Sequence, residues 1–283
     1  VQQAMLAGNR LHLQHGPINL VIKADGSDAA VRLAYQCAVR RMNGLLEGLV
    51  DLLPLLRSPD VPTCVRVTNE TAQQMIAAAN RMKGQFVTPM AAVAGAVADT
   101  ILAAMKKTDG LKKIYVNNGG DIALHLAPGQ QMQIGIVPTL SAAAPDSSLC
   151  VSGGDEVGGI ATSGWDGHSM SQGIADAVTV IAESGAVADV AATLIANQVN
   201  CDDVSIERRQ ALDLEPDSEL GERLVTVSVG KLSETAINDA LDRGERYGWS
   251  LLEQGIIQGT ILSLQGHKRT VALPLNRQRQ LTS

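Results

Sequence analysis

The string Gly95-Ala96-Val97-Ala98-Asp99 recurs letter for letter as Gly185-Ala186-Val187-Ala188-Asp189. Each copy sits in an Ala-rich stretch of helical spacing, and the second sets the Asp189 carboxylate among small apolar side chains. A charge buried there must find a partner. Internal duplication accounts for the repeat, and Gly-Gly-Asp occurring at both Gly119 and Gly153 favours it. Coincidence is the competing account in a chain so rich in Ala, Val and Gly. Only six of the 283 residues are aromatic while 45% are hydrophobic, so small, close-packed side chains must fill the core.

The pattern around the two copies predicts helices interleaved with strands. Leu11 and Leu13, then Ile18, Leu20 and Ile22, alternate across Gly16-Pro17 as a strand pair. Asp25 to Asp28 supplies a turn and helix caps. Leucines from Leu45 to Leu56 recur at helical spacing, which predicts one long helix over 29–57, stopped by Ser58-Pro59. Helices are expected over 71–82, 89–107, 185–199 and 233–247. Strands are expected over 113–116, 122–126, 131–137, 149–152, 159–162, 177–182, 225–229, 256–264 and 270–273. The acidic stretch 205–222 reads as an irregular excursion, and 276–283 as a frayed tail. No regular βαβ alternation is present, so the expected class is α+β in one domain over 1–283.

A net charge of -6 with few aromatics excludes the basic, stacking surface of a nucleic-acid binder. Cys37, Cys64, Cys150 and Cys201 show no Cys-x-x-Cys spacing, which points to ordinary buried thiols in a reducing compartment. No uninterrupted apolar run reaches the roughly 20 residues of a membrane span, and Val1 to Arg10 lacks a signal-peptide pattern. The cytoplasm is the expected location, with a homodimer as an admissible assembly.

Three segments carry residues able to do chemistry. On the helix from Gly185, the side chains of Asp189, Thr193 and Asn197 stand four apart and form one polar stripe. Asp189 is too far into its helix to cap it. Its oxygen, with that of Thr193, suits a hard cation such as magnesium; alternatively Asp189 pairs with an arginine and Thr193 bonds back into its own helix. Asn117-Asn118-Gly119-Gly120-Asp121 follows a strand and reads either as a hairpin turn or as a backbone nest for an anion. The segment from Gly158 through Thr162, Ser163, Trp165, Asp166 and His168 is a strand emptying into a polar loop, able to bind a phosphate or move a proton. It contains no Gly-x-Ser-x-Gly elbow, and the chain has neither a Walker loop nor a Rossmann fingerprint.

Taken in order, these segments resemble the ApbE superfamily of FAD:protein FMN transferases. The helix from Pro89 to Asp99 resembles that family's glycine-rich lead into an Ala-Val-Asp helix. Gly119-Gly120-Asp121 matches its Gly-Gly-Asp turn, and Ala161-Thr162-Ser163-Gly164 its Ala-Thr-Ser-Gly. Val178-Thr179-Val180 and Ala188-Asp189-Val190-Ala191-Ala192-Thr193 match its Val-Thr-Val strand and Ala-Asp-Ala-x-Ala-Thr helix. The resemblance covers about 10–199.

It implies a duplicated T-fold-like α+β domain with mixed or antiparallel sheets. It also implies magnesium held by Asp189, Thr193 and the backbone carbonyl of Ala91. FAD or a related nucleotide is implied to lie between the halves near Thr88, Ala94, Gly119, Gly120, Asp121, Thr162 and Ser163. Two departures stand out. The family's His-x-x-Asp-Pro-x-Thr-Gly run is replaced by the stretch from His168 to Asp176, without the proline and threonine, and the acidic residue and lysine of its earlier helix appear as Thr88 and Ala94. His168 and Asp176 become the acid/base candidates. The expected function is a small nucleotide or metabolite bound by an ApbE-like branch without the full motif, with magnesium-dependent FMN transfer or pyrophosphate chemistry. The alternative is a non-catalytic binding or assembly protein.

Overall fold

The computed structural model describes residues 1–62, 65–82, 84–139, 144–145, 147–167 and 169–271; the tail expected over 276–283 lies outside them. In chain order the elements are β1 (Gln2–Leu6), β2 (Arg10–His15), β3 (Ile18–Gly26), α1 (Asp28–Met42), α2 (Leu45–Val50), α3 (Leu53–Leu56) and α4 (Glu70–Asn80). A 3-10 turn at Pro89–Ala92 leads into α5 (Val93–Met105). Then come β4 (Leu111–Asn118), β5 (Asp121–Leu126), β6 (Gln131–Ile136), β7 (Ser147–Ser152), β8 (Gly159–Ser163), β9 (Ala177–Ala182) and α6 (Gly185–Gln198). The chain continues through β10 (Ile206–Gln210), α7 (Ala211–Leu214), β11 (Leu224–Val229), α8 (Glu234–Glu253), β12 (Gly259–Leu264) and β13 (His267–Val271). The α+β class is as expected from the sequence.

Two units interleave along the chain. The first comprises Val1–Met132, Val151–Ala161 and Ala182–Val190. Its strands pair antiparallel in the order β1-β2-β3-β4-β5-β8. Burial alternates along β3, where Ile18, Leu20, Ile22 and Ala24 point inward, and along β4, where Ile114, Val116 and Asn118 do. Helix α5 packs on β4 and β5, with α1 and α4 against it. Gly95, Ala96, Val97, Ala98, Thr100, Ile101, Leu102 and Met105 are all buried on α5, and such small side chains let a helix be covered on most of its circumference. Side-chain caps start α1 and α4: Ser27 Oγ accepts from Ala30 N at 3.3 Å, and Asn69 Oδ1 from Ala72 N at 3.1 Å. Tyr35 of α1 donates to the carbonyl of Asn9 at 2.6 Å and accepts from Ala24 N at 3.2 Å, tying the β1-β2 turn to the sheet.

The second unit comprises Gln133–Cys150, Thr162–Ile181 and the chain from Ala191 onward. In it β9, β12 and β13 pair antiparallel in that order, and α8 covers β12 and β13. Ser233 Oγ caps α8 by accepting from Ala236 N at 3.2 Å. Among the described residues no helix is long and apolar enough to cross a membrane.

The structure corrects several sequence expectations. The single helix expected over 29–57 is three helices. Asn43 turns extended and Gly44 takes φ +73°, a left-handed conformation that ends a helix. Pro54, without an N–H, then sits in the first turn of α3. The stretch 205–222 is not wholly irregular, because β10 gains backbone partners from β11 and buries Ile206 while α7 buries Ala211. Strand β1 has every side chain exposed, so it lacks the apolar alternation that would reveal it. Cys37 and Cys150 are half-buried and Cys201 is buried; Cys64 lies outside the described residues. Gly44→Ala is expected to lower stability by about 1 kcal/mol, since a Cβ strains the left-handed conformation, and urea unfolding will show this as a reduced midpoint with an unchanged m-value.

Candidate functional site

The repeated pentapeptide is a reciprocal lock. Helix α5 begins after Ala92, which offers no side-chain cap; the Met90 carbonyl of the 3-10 turn takes the Val93 amide, and the amides that follow need acceptors from elsewhere. Asp189 Oδ2 of α6 accepts from Gly95 N at 3.0 Å. In return, Asp99 of α5 receives the first two amides of α6: Oδ1 from Gly185 N at 2.9 Å and Oδ2 from Ala186 N at 2.8 Å. Ser184 Oγ takes the third, from Val187 N at 3.3 Å. Thus each aspartate, the fifth residue of its own motif, caps the other helix. The two glycines make this approach possible. A Cβ on Gly95 would lie 2.2 Å from the carbonyl oxygen of Gly185, and one on Gly185 would lie 2.9 Å from that of Gly95.

The same letters meet different electrostatic surroundings. Burial pushes the Asp99 carboxyl up to about 6, against the opposing pull of the Ala186 and Gly185 amides. Beside it is a cavity of about 400 Å³, bordered also by Gln74, Arg81, Lys106 and Glu183, in which Arg81 pairs with Glu183. Burial also drives the Asp189 carboxyl well above the usual carboxylate range. The charge of Asp121 adds to this, and the Gly95 and Ala94 amides oppose it. Two carboxylates that repel one another in this way invite a proton or a cation between them.

The hairpin of β4 and β5 brings Asp121 to that place. Asn118 and Asp121 face one another in register, leaving Gly119 and Gly120 as the turn, with φ +66° and +117°. Asn117 Oδ1 closes it by accepting from Gly120 N at 2.9 Å. The buried Asn118 side chain reaches across to α5, its Nδ2 donating to the Ala94 carbonyl at 3.1 Å, and its Oδ1 accepts from Asn19 N at 3.4 Å. Thr88 is buried just before the 3-10 turn, and its carbonyl accepts from Ala91 N at 3.1 Å. The first unit therefore gathers Ala94, Asp121 and Asp189, with Thr88 and Ala91 on the lead-in to the same helix.

In the second unit, Thr162 Oγ1 lies 2.9 Å from Thr179 Oγ1, and Ser163 ends β8 half-buried. Asp176 has both oxygens engaged, Oδ1 by Trp165 Nε1 at 3.3 Å and Oδ2 by the backbone N–H of Gln265. Its carboxyl is raised by burial. Thr193 is half-buried, one turn beyond Asp189 on α6. The stripe ends structurally at Asn197, whose Oδ1 accepts from Gln172 N at 2.9 Å and from Ser171 Oγ at 3.3 Å. His168 lies outside the described residues.

The sequence reading missed Asp99 and Asn118 as site-forming residues. The signal for Asp99 was present, since the repeat carries an aspartate at the same place in both copies; what it bonds to depends on how two distant segments cross. Among the described residues no three of His, Cys, Asp and Glu gather as a metal-ligating group. A cation at Asp189 would have to draw on hydroxyl, carbonyl, water or phosphate oxygens as well, which is the habit of magnesium.

A family model described as "AbpE bacteria" matches residues 2–270. A UPF0280 protein of Methanopyrus kandleri is 33% identical over 204 residues, covering 70% of this chain and 78% of that protein. Another, of Methanosarcina acetivorans, is 32% identical over 198 residues, covering 69% and 75%. The crystal structure of the ApbE protein of Thermotoga maritima matches with a TM-score of 0.56 at 13% identity, over 95% of this chain and 96% of that one. This shared fold is of the α+β class read from the sequence.

Two outcomes are expected from the lock. Gly95→Ala forces its Cβ into the Gly185 carbonyl and should cost about 2 kcal/mol, measured by urea unfolding. For Asp99, the folded value near 6 lies above the ordinary 3.8. Its contribution is therefore complete below about pH 4 and lost as pH rises through about 6. Relative to wild type, Asp99→Asn should gain on the order of 2 kcal/mol between pH 4 and pH 7, seen as a pH-dependent difference between their unfolding midpoints.

Proposed function

The chain belongs to the bacterial AbpE family, and on that premise we propose that it binds a flavin or related pyrophosphate nucleotide together with magnesium. The observation that carries this reading is the Asp189 carboxylate, raised well above the usual range by burial and by the charge of Asp121. Burial and like charge make the pair costly in its ionised form, and a divalent cation relieves both. The donor set suits a hard ion, since the carboxylate of Asp189, the hydroxyl of Thr193 and the carbonyl of Ala91 would all offer oxygen. When bound, magnesium would neutralise charge on the phosphoryl oxygens of a pyrophosphate.

The chain's own groups have separable duties in this reading. Gly119 and Gly120 present backbone with open space where a Cβ would stand, which suits close approach of a phosphate. Asn118 fixes that turn to α5 through Ala94. Thr88, on the lead-in to the same helix, supplies a hydroxyl for the remainder of the nucleotide. His168 and Asp176 are the proton-handling candidates for FMN transfer or pyrophosphate cleavage. The engagement of both Asp176 oxygens by Trp165 and Gln265 favours a second reading, retention of a nucleotide without turnover.

Calorimetry with FAD, FMN and ADP, with and without magnesium, tests the proposal. Binding of at least one that strengthens about tenfold with magnesium is expected. Asp189→Asn keeps an acceptor for Gly95 N and should stay folded while losing the magnesium effect. No binding of any of the three overturns the nucleotide reading, and an unchanged magnesium effect in the variant overturns the metal assignment. Mass spectrometry of the denatured, purified protein after incubation with FAD separates the readings: intact FAD supports retention, and AMP or FMN supports turnover.

A further inference from the structure

We propose that Asp99 is a positioning residue for Asp189, holding the first turn of α6 so that the Asp189 carboxylate is set on Gly95 and beside Asp121. This rests on the reading of Asp189 as a cation ligand, but its physical core does not. Asp99 bonds to the amides of Gly185 and Ala186, whereas Asp189 lies one helical turn further on, about 6 Å along the axis. A displacement of the first turn therefore carries Asp189 with it.

The first turn has little slack. The Cβ position of Gly185 is 2.9 Å from the Gly95 carbonyl oxygen and 3.1 Å from Asp99 Oδ1, so at Gly185 the α6 backbone meets both the backbone of α5 and its Asp99 side chain at close quarters. Just upstream, Glu183 is paired with Arg81, which caps the end of α4. The two helices are also capped unequally. Helix α6 retains Ser184 as a side-chain cap of its own, whereas α5 has none at Ala92 and depends on Asp189 for the Gly95 amide. The loss of Asp99 should thus be felt at a group it does not touch, the Gly95 amide.

Amide hydrogen exchange on full-length Asp99→Ala, Asp99→Asn and wild type provides the test, with magnesium calorimetry alongside. In Asp99→Ala, protection of Gly185 and Ala186 should fall, and that of Gly95 should fall at least tenfold. Asp99→Asn, which retains an acceptor, should restore Gly95 to within about threefold of wild type. Magnesium affinity should follow the same order. Leu241→Ala, a core truncation in α8, serves as a control that lowers stability without touching either helix start, and should leave Gly95 protection and magnesium affinity in place. If Asp99→Ala does not fold, Asp99→Glu keeps the charge while shifting the cap by one methylene, and should again expose Gly95. Unchanged Gly95 protection in the folded variant overturns the proposal. If wild type binds no magnesium, the functional reading fails and the exchange result alone decides the positioning role.

Discussion

The pair of crossed carboxylate caps between α5 and α6 is the interaction on which the first unit depends. A helix start leaves amides without partners, and burying them uncapped is costly. Here neither helix solves the problem alone, because α5 has an alanine at its cap position and α6 has one serine for three amides. Each borrows an aspartate from the other, and the glycine contact between them fixes the distance at which the loan works. The Ala- and Val-rich composition then follows, since larger side chains would hold the helices apart.

Symmetry of sequence does not become symmetry of chemistry. Asp99 faces donors and a cavity that also holds Arg81 and Lys106. Asp189 faces a second carboxylate, delivered by the Gly119-Gly120 turn. One copy of the motif therefore works as a fastening, while the other combines a fastening with a neighbouring carboxylate of like charge. That charge is the reason to look for a cation at Asp189 and not at Asp99.

Much of the fold was legible where a local rule sufficed. Alternating apolar residues marked β2 and β3, small apolar residues marked α5 and α6, and Asn-Gly-Gly marked the hairpin before Asp121. The reading failed where a local rule was outweighed. Leucine periodicity over 29–57 hid the left-handed Gly44, and the polar character of 205–222 hid a strand whose stability comes from pairing with β11. Exposed β1 left no hydrophobic signature at all.

By itself the sequence determined that a buried carboxylate stands at Asp189, too far along its helix to cap it, and that the same five letters occur twice. Helical periodicity and the cost of burying charge are local properties, so composition and spacing suffice to read them. Only the tertiary structure decided what the carboxylates touch: Asp99 on the start of α6, Asp189 on the start of α5 and near Asp121. Those partners are 86 to 94 residues apart in sequence for the hydrogen bonds, and only the crossing of Gly95 on Gly185 brings them within reach.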